Sequence, residues 1–131
     1  MRKTKTGENP MIQREWRRFV DRCTWSWTGW RDTWAAERSL RQWSVLVALS
    51  SLLALLLPLQ PGERVAILPL GFLLLAAELV NTAIERVVDL VTLEKNDLAR
   101  QAKDAGSTAV ALTAIAGGVA WAVILWRLAA G

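Results

Sequence analysis

Four polar residues break into the second long apolar run of the chain. Glu78, Asn81, Glu85 and Asp89 stand at i, i+3, i+7 and i+11, and at roughly 100° per residue they fall along one face of a continuous helix. The run they close, Val65 to Ala77, carries no charge. A carboxylate near the bilayer centre costs about 2.5–3.5 kcal/mol even on the lenient insertion scale. One could be met by snorkelling, but a row of them implies a use, and metal, protons or a bound ligand are what carboxylates can serve.

Glu78 and Glu85 differ in depth by roughly 10 Å, from the rise of a helix. Glu78, the deeper, is shielded from water and suits a general base drawing a proton from a lipid hydroxyl. Glu85, nearer water, suits a divalent ion shared with a second carboxylate, for which Glu37 is the candidate. Mg²⁺ commonly takes one or two carboxylates and completes its shell with substrate phosphates. Lys103 can neutralise phosphate charge, and Asp104 beside it can bind a ligand hydroxyl or amine. Such a set performs phosphoryl transfer by positioning and electrostatics. The chain has neither a glycine-rich phosphate loop ending in Lys-Ser/Thr nor a His-Arg-Asp catalytic loop. Spacing alone therefore defines an intramembrane acidic site with a metal requirement, and a proton or cation pathway fits the same carboxylates. Glu37 and Lys103 separate the two readings: a metal–nucleotide site needs both at the helix ends, and a pore needs neither.

The elements that position these residues are legible from the charge pattern. The 131 residues suffice for one domain, and the 53% hydrophobic content is unevenly spread. Residues 43–59 and 105–126 contain no charge, and with the segment from Val65 they make three membrane-spanning candidates. Run length favours the membrane over a soluble three-helix bundle. The expected architecture is an all-α membrane protein: a lead-in over residues 1–10, disordered, then one domain over 11–131. Within it a surface helix covers about 11–34 and spans cover about 43–59, 65–90 and 105–126. Pro58 and Pro61-Gly62 mark a short turn, so the first two spans should run antiparallel. Gly106, Ser107, Gly117 and Gly118 are small enough for close helix packing.

Before the first span, Ile12, Trp16, Phe19, Val20, Cys23 and Trp27 recur at the spacing of one helical face, with Arg14, Arg17, Arg18, Asp21 and Arg22 opposite. A basic, tryptophan-rich amphipathic helix belongs in the membrane interface, and surface anchoring is its plainest role. Charge and tryptophan fill the first forty residues, so no cleavable signal peptide is expected. The N-terminal segment and the loop after the second span hold nearly all the Lys and Arg, which places both in the cytoplasm, where ATP is available. The net charge of +4 sits beside apolar runs and points to an anionic membrane surface, with no nucleic acid partner. One cysteine precludes an intrachain disulfide, and the absence of histidine leaves oxygen as the donor for any metal.

The segment Glu78-Leu79-Val80-Asn81-Thr82-Ala83-Ile84-Glu85-Arg86-Val87-Val88-Asp89, followed by Ala102-Lys103-Asp104-Ala105-Gly106-Ser107, resembles the prokaryotic diacylglycerol kinase family. The likeness extends back through Ser26-Trp27, Gly29, Trp34, Glu37 and Arg41-Gln42, and forward to Trp121. It implies a small integral membrane kinase of three spans and a surface helix, working as a homotrimer in the inner membrane. It also implies transfer of the ATP γ-phosphate to diacylglycerol, giving phosphatidic acid. By position, Glu78 would be the catalytic base with Asn81 supporting it, and Glu37 and Glu85 would bind Mg²⁺. Arg18, Trp25, Glu37, Glu85, Glu94, Lys103 and Asp104 would contact the nucleotide. Arg18, Trp34, Glu78, Ser107 and Trp121 would contact the lipid. Sites in such a trimer are shared, so Glu37 and Glu78 can come from different protomers. The chain departs from the family pattern at Trp43, where a second acidic residue is frequent, at Asn96, where histidine is common, and at Trp25, which replaces another aromatic. A sister branch with a similar motif phosphorylates undecaprenol.

Replacing Glu78 by Gln is expected to abolish turnover while leaving ATP binding and assembly near wild type, measured by phosphoryl transfer alongside nucleotide titration. Retained turnover would remove Glu78 as the base.

Overall fold

The computed structural model describes residues 10–131. The lead-in expected over residues 1–10 lies outside the described residues except for Pro10, which opens the first helix. Four helices follow in order: α1 (Pro10–Ala36), α2 (Arg38–Leu56), α3 (Pro61–Val91) and α4 (Asp97–Ala130). The described residues contain no strand. The helices α2, α3 and α4 are each long and apolar enough to cross a membrane, so the chain is an all-α protein of the multi-pass kind.

Each boundary has a local cause. A single residue, Glu37, separates α1 from α2; its backbone is extended at φ −101°, ψ 120°. Its N–H still donates to the Thr33 carbonyl at 2.8 Å, and the Arg41 guanidinium donates to the carbonyls of Trp34 and Ala35 at 2.8 and 3.1 Å. A cation on the last free carbonyls of a helix is where the backbone dipole favours it. Pro58 stops α2, and Pro61 opens α3 at a position that needs no amide hydrogen. The Asn96 side chain accepts from the N–H groups of Leu98 and Ala99 at 2.8 and 3.2 Å and caps α4.

The helices outrun the apolar segments. At 31 and 34 residues, α3 and α4 reach roughly 45–50 Å at 1.5 Å per residue, against about 30 Å of hydrocarbon. The α4 helix starts at Asp97, eight residues before its charge-free stretch, because a helix ends where its cap lies and not where lipid ends. The excess of both helices, with the loop between them, carries the charged residues from Glu85 to Asp104 at one end of the bundle.

Helix α3 is the axis. It packs against α1, α2 and α4, whereas the backbones of α2 and α4 stay apart. Its buried positions Ile67, Leu74, Glu78, Asn81 and Thr82 follow one stripe. Two apolar clusters surround it: Ala54, Leu59, Ile67 and Ile124 near the α2–α3 turn, and Val47, Leu74 and Val110 nearer the polar end. A groove of about 630 Å³ opens between α2 and α4, with Gly71 of α3 in its lining. Gly117 and Gly118 line it, and a methyl at either would meet nothing within 4 Å. The close packing expected of them is not made within the chain; Gly106 makes it instead. Most of the remaining large apolar side chains face outward, among them Leu46, Phe72, Leu112 and Val123, which lipid tolerates as readily as a protein core does.

The turn end is clamped by charge. Glu63 accepts from Arg127 through both oxygens, at 2.6 and 2.9 Å, and from the Gln60 N–H at 2.7 Å. Arg64 donates to the carbonyls of Ala54 and Leu57 at 3.1 and 3.2 Å, holding the end of α2. The bidentate Arg–carboxylate geometry is the strong form of the pair, and it ties the last turns of α4 to the first turn of α3.

At Gly71 an added Cβ would lie 2.8 Å from Val47 Cγ1. The substitution Gly71→Leu is expected to push α2 from α3 and cost about 1–3 kcal/mol by overpacking. Thermal unfolding in detergent should show a lowered midpoint, partly restored when Val47→Ala is added.

Candidate active site

The polar stripe continues the line along which α3 packs. Ile67 and Leu74 lead on the same face to Glu78, which is 4% exposed, then Asn81 and Thr82, also buried. Among the described residues the Glu78 carboxylate has no hydrogen-bond or ion-pair partner. A lone buried acid is costly unless something pairs with it.

One turn on, the Asn81 amide donates through Nδ2 to Glu85 Oε1 at 2.9 Å. Its Oδ1 is a buried acceptor with no partner among the described residues. That oxygen points at Gly106 of α4, where any side chain would collide with it. Glycine at 106 is therefore what lets the amide sit between the helices. Two turns past Glu78, Glu85 is half-buried, with its second carboxylate oxygen left over.

Beyond Glu85 one ion pair links the helix ends: Lys103 Nζ of α4 lies 2.5 Å from Asp89 Oδ1 of α3. Within α4, Asp104 accepts from Arg100 at 2.8 Å. With Glu94 and Asn96 these side chains line a polar recess of about 660 Å³ between the end of α3 and the start of α4. At the α1–α2 elbow, Glu37 Oε1 faces Arg86 of α3 at 3.3 Å.

One chain thus gathers the residues proposed from sequence into separate groups. Glu78, Asn81 and Glu85 share the α3 face, and Glu94, Lys103 and Asp104 share the recess. Glu37 is held to α3 through Arg86. Arg18 and Trp25 are not brought to either group. Arg18 pairs with Glu15 of its own helix at 2.7 Å and Trp25 is 70% exposed. Trp34 lies against Trp30 at a ring separation of 5.7 Å near the end of α1. Ser107 is exposed on α4. Trp121 lies towards the opposite end, where its Nε1 donates to Ser50 Oγ at 2.8 Å and bridges α4 to α2 across the groove.

Arg86 carries no role in the sequence pattern, although a cation immediately after a site carboxylate on a membrane helix is a usable signal. Asn96 departs from the family pattern, yet Asn directly before Asp97-Leu98 is a recognisable helix start. Arg41 gave no local signal, since its carbonyl partners depend on the angle at Glu37.

The donor chemistry fits a hard divalent ion. Glu37, Glu85 and the unpartnered Asn81 Oδ1 are all oxygen donors. Among the described residues no three Asp, Glu, His or Cys side chains converge, so a metal here would draw the rest of its shell from phosphate oxygens and water.

Three long apolar helices, one of them carrying a buried carboxylate, with a polar recess at one end, define a multi-pass membrane protein. The chain belongs to the prokaryotic diacylglycerol kinase family, whose profile matches residues 24–125. It is 35% identical over 109 residues to the diacylglycerol kinase of Escherichia coli, covering 83% of this chain and 89% of that protein. It is 39% identical over 111 residues to that of Pseudomonas aeruginosa, again covering 83% and 89%, and 33% identical over 118 residues to that of Helicobacter pylori, covering 90% and 89%. All the site residues named above except Arg18 lie within the matched span.

Gly106→Ala is expected to leave the fold intact, because the atom it meets is the tip of a side chain that can swing away. Displacing Asn81 from Glu85 should lower phosphoryl-transfer turnover by on the order of tenfold or more, as misplaced catalytic groups do. Comparing turnover with the unfolding midpoint checks it: a drop in the midpoint with unchanged specific activity would mean that Gly106 serves packing alone.

Proposed function

We propose that this protein is an ATP-dependent diacylglycerol kinase of the inner membrane, forming phosphatidic acid at the cytoplasmic surface. The observation that carries the proposal is the buried line on α3. Glu78 is withdrawn from water on a membrane helix, and its face continues through the Asn81–Glu85 pair to Asp89 and Lys103. Lipid substrate arrives from the apolar side of that line and nucleotide from the polar side. The names of the relatives support the same reaction.

In this reading Glu78 accepts the proton of the primary hydroxyl as its oxygen forms a bond to the γ-phosphorus. The bond from γ-phosphorus to the bridging oxygen breaks, ADP leaves, and Glu78 returns its proton to water. Asn81 orients Glu85 through the 2.9 Å hydrogen bond. Lys103 and Arg100 supply positive charge to the polyphosphate, and Glu94 and Asp104 line the nucleotide recess. Glu37 and Glu85 would hold Mg²⁺, which would supply positive charge to the transferring phosphoryl group. The protein works as a homotrimer with its N-terminus in the cytoplasm. Neighbouring protomers complete the surroundings of Glu78 and bring Arg18, Trp25 and Trp34 of α1 to the site, while Ser107 and Trp121 contact the lipid.

The test is transfer of labelled γ-phosphate from ATP in mixed micelles offering diacylglycerol and undecaprenol side by side. Labelled phosphatidic acid supports the proposal, preferential labelling of undecaprenol replaces the substrate, and no labelled lipid from folded protein with Mg²⁺ refutes it. Glu37→Ala or Glu85→Ala should raise the Mg²⁺ concentration needed for half-maximal activity as well as lower turnover. An unchanged metal requirement in both would remove them as ligands.

A further inference from the structure

Arg86 is the cation that faces Glu37, and the character of that contact differs from the clamp at the other end of the bundle. It is a single contact of 3.3 Å between side chains that are 50% and 33% exposed. Exposed pairs of this kind contribute about 0–1 kcal/mol. Glu63 and Arg127, by contrast, engage through two short hydrogen bonds. The Arg86–Glu37 pair is therefore weak enough to be exchanged.

Other cations at this end pair with groups other than Glu37. Lys103 is on Asp89, Arg100 on Asp104 and Asp97, and Arg41 on the α1 carbonyls. Arg86 also follows Glu85 directly in the chain, so it is attached to α3 at the same level along the helix as the second proposed metal ligand. Whatever takes the Glu37 carboxylate releases the guanidinium that now faces it.

We infer that Arg86 is an exchangeable positioning residue: it neutralises Glu37 in the empty site and passes to the nucleotide polyphosphate when a divalent ion takes Glu37. The inference rests on the assignment of Glu37 to the metal made above. A carboxylate oxygen in a cation's coordination shell is no longer available to a guanidinium, and two positive charges do not share it at contact distance. Phosphate is the stronger partner for the freed group, since a guanidinium can meet two of its oxygens at once. The exchange leaves no charge unpaired in either state. It also makes metal and nucleotide binding mutually supporting, because each removes the obstacle to the other.

The experiment measures Mn²⁺ binding to the full-length protein in detergent–lipid micelles by electron paramagnetic resonance, with and without a non-hydrolysable ATP analogue. The variants are Arg86→Gln, Arg86→Lys and Glu37→Gln. Without nucleotide, Arg86→Gln should bind Mn²⁺ about fivefold more tightly, the factor expected from removing a weak competing ion pair. In activity assays the same variant should raise the KM for MgATP by about tenfold or more, as loss of a charged hydrogen bond does, with a smaller change in kcat. Arg86→Lys should restore much of the nucleotide affinity. If Arg86→Gln leaves both Mn²⁺ affinity and KM unchanged and only lowers the unfolding midpoint, Arg86 is a structural tether and the inference fails. In that case Mn²⁺ binding that is still weakened by Glu37→Gln leaves the metal assignment standing. Mn²⁺ binding indifferent to Glu37→Gln overturns both.

Discussion

The structure depends on keeping one carboxylate, Glu78, out of water on a helix that crosses lipid. An ionised group in a medium of low polarity is expensive unless charge or hydrogen bonds meet it, and a solitary helix in a bilayer could offer neither. The packing of α3 answers part of this requirement. Its buried stripe is apolar at Ile67 and Leu74 and polar from Glu78 onward, so the contacts that hold the helices together also hold the acid at a fixed depth. Gly106 allows α4 to approach where Asn81 needs room, and Asn81 in turn orients Glu85. The chain of dependence runs from helix packing to a glycine, to an amide, to a carboxylate.

The two ends of the bundle use charge differently. At the α2–α3 turn, Glu63, Arg127 and Arg64 form short contacts that fasten three helices together. At the polar end, Glu37 is met by Arg86 through a single longer contact between partly exposed side chains. Short paired contacts resist exchange, whereas partly hydrated ones permit it. A bundle fixed at one end and exchangeable at the other is suited to admitting a charged ligand without unpacking.

The outward leucines, the groove between α2 and α4, and the exposed tryptophans of α1 follow from the solvent this fold occupies. In lipid, apolar surface need not be buried, so few residues form the intrachain core and α3 alone organises it. The backbone, by contrast, has to satisfy itself. Helix ends are accordingly closed by side chains: Arg41 on the carbonyls of α1, Asn96 on the amides of α4, and Glu63 on the Gln60 amide of α3.

The residues by themselves determined the all-helical class, the three spans and the face on which Glu78, Asn81, Glu85 and Asp89 lie. These are local properties: a charge-free run of membrane length and a recurrence matched to the helical repeat show in the order of residues alone. The motif around Glu78 and Lys103 was specific enough to point to the family. What tertiary structure decided was which residue meets which. Arg86 with Glu37, Arg127 with Glu63 and Trp121 with Ser50 are 49, 64 and 71 positions apart. Their pairing depends on where helix ends meet in space, which no periodicity encodes. The same reason separates the four small residues of α4. All looked equally fit for close packing, and only Gly106 faces a neighbour near enough to require it.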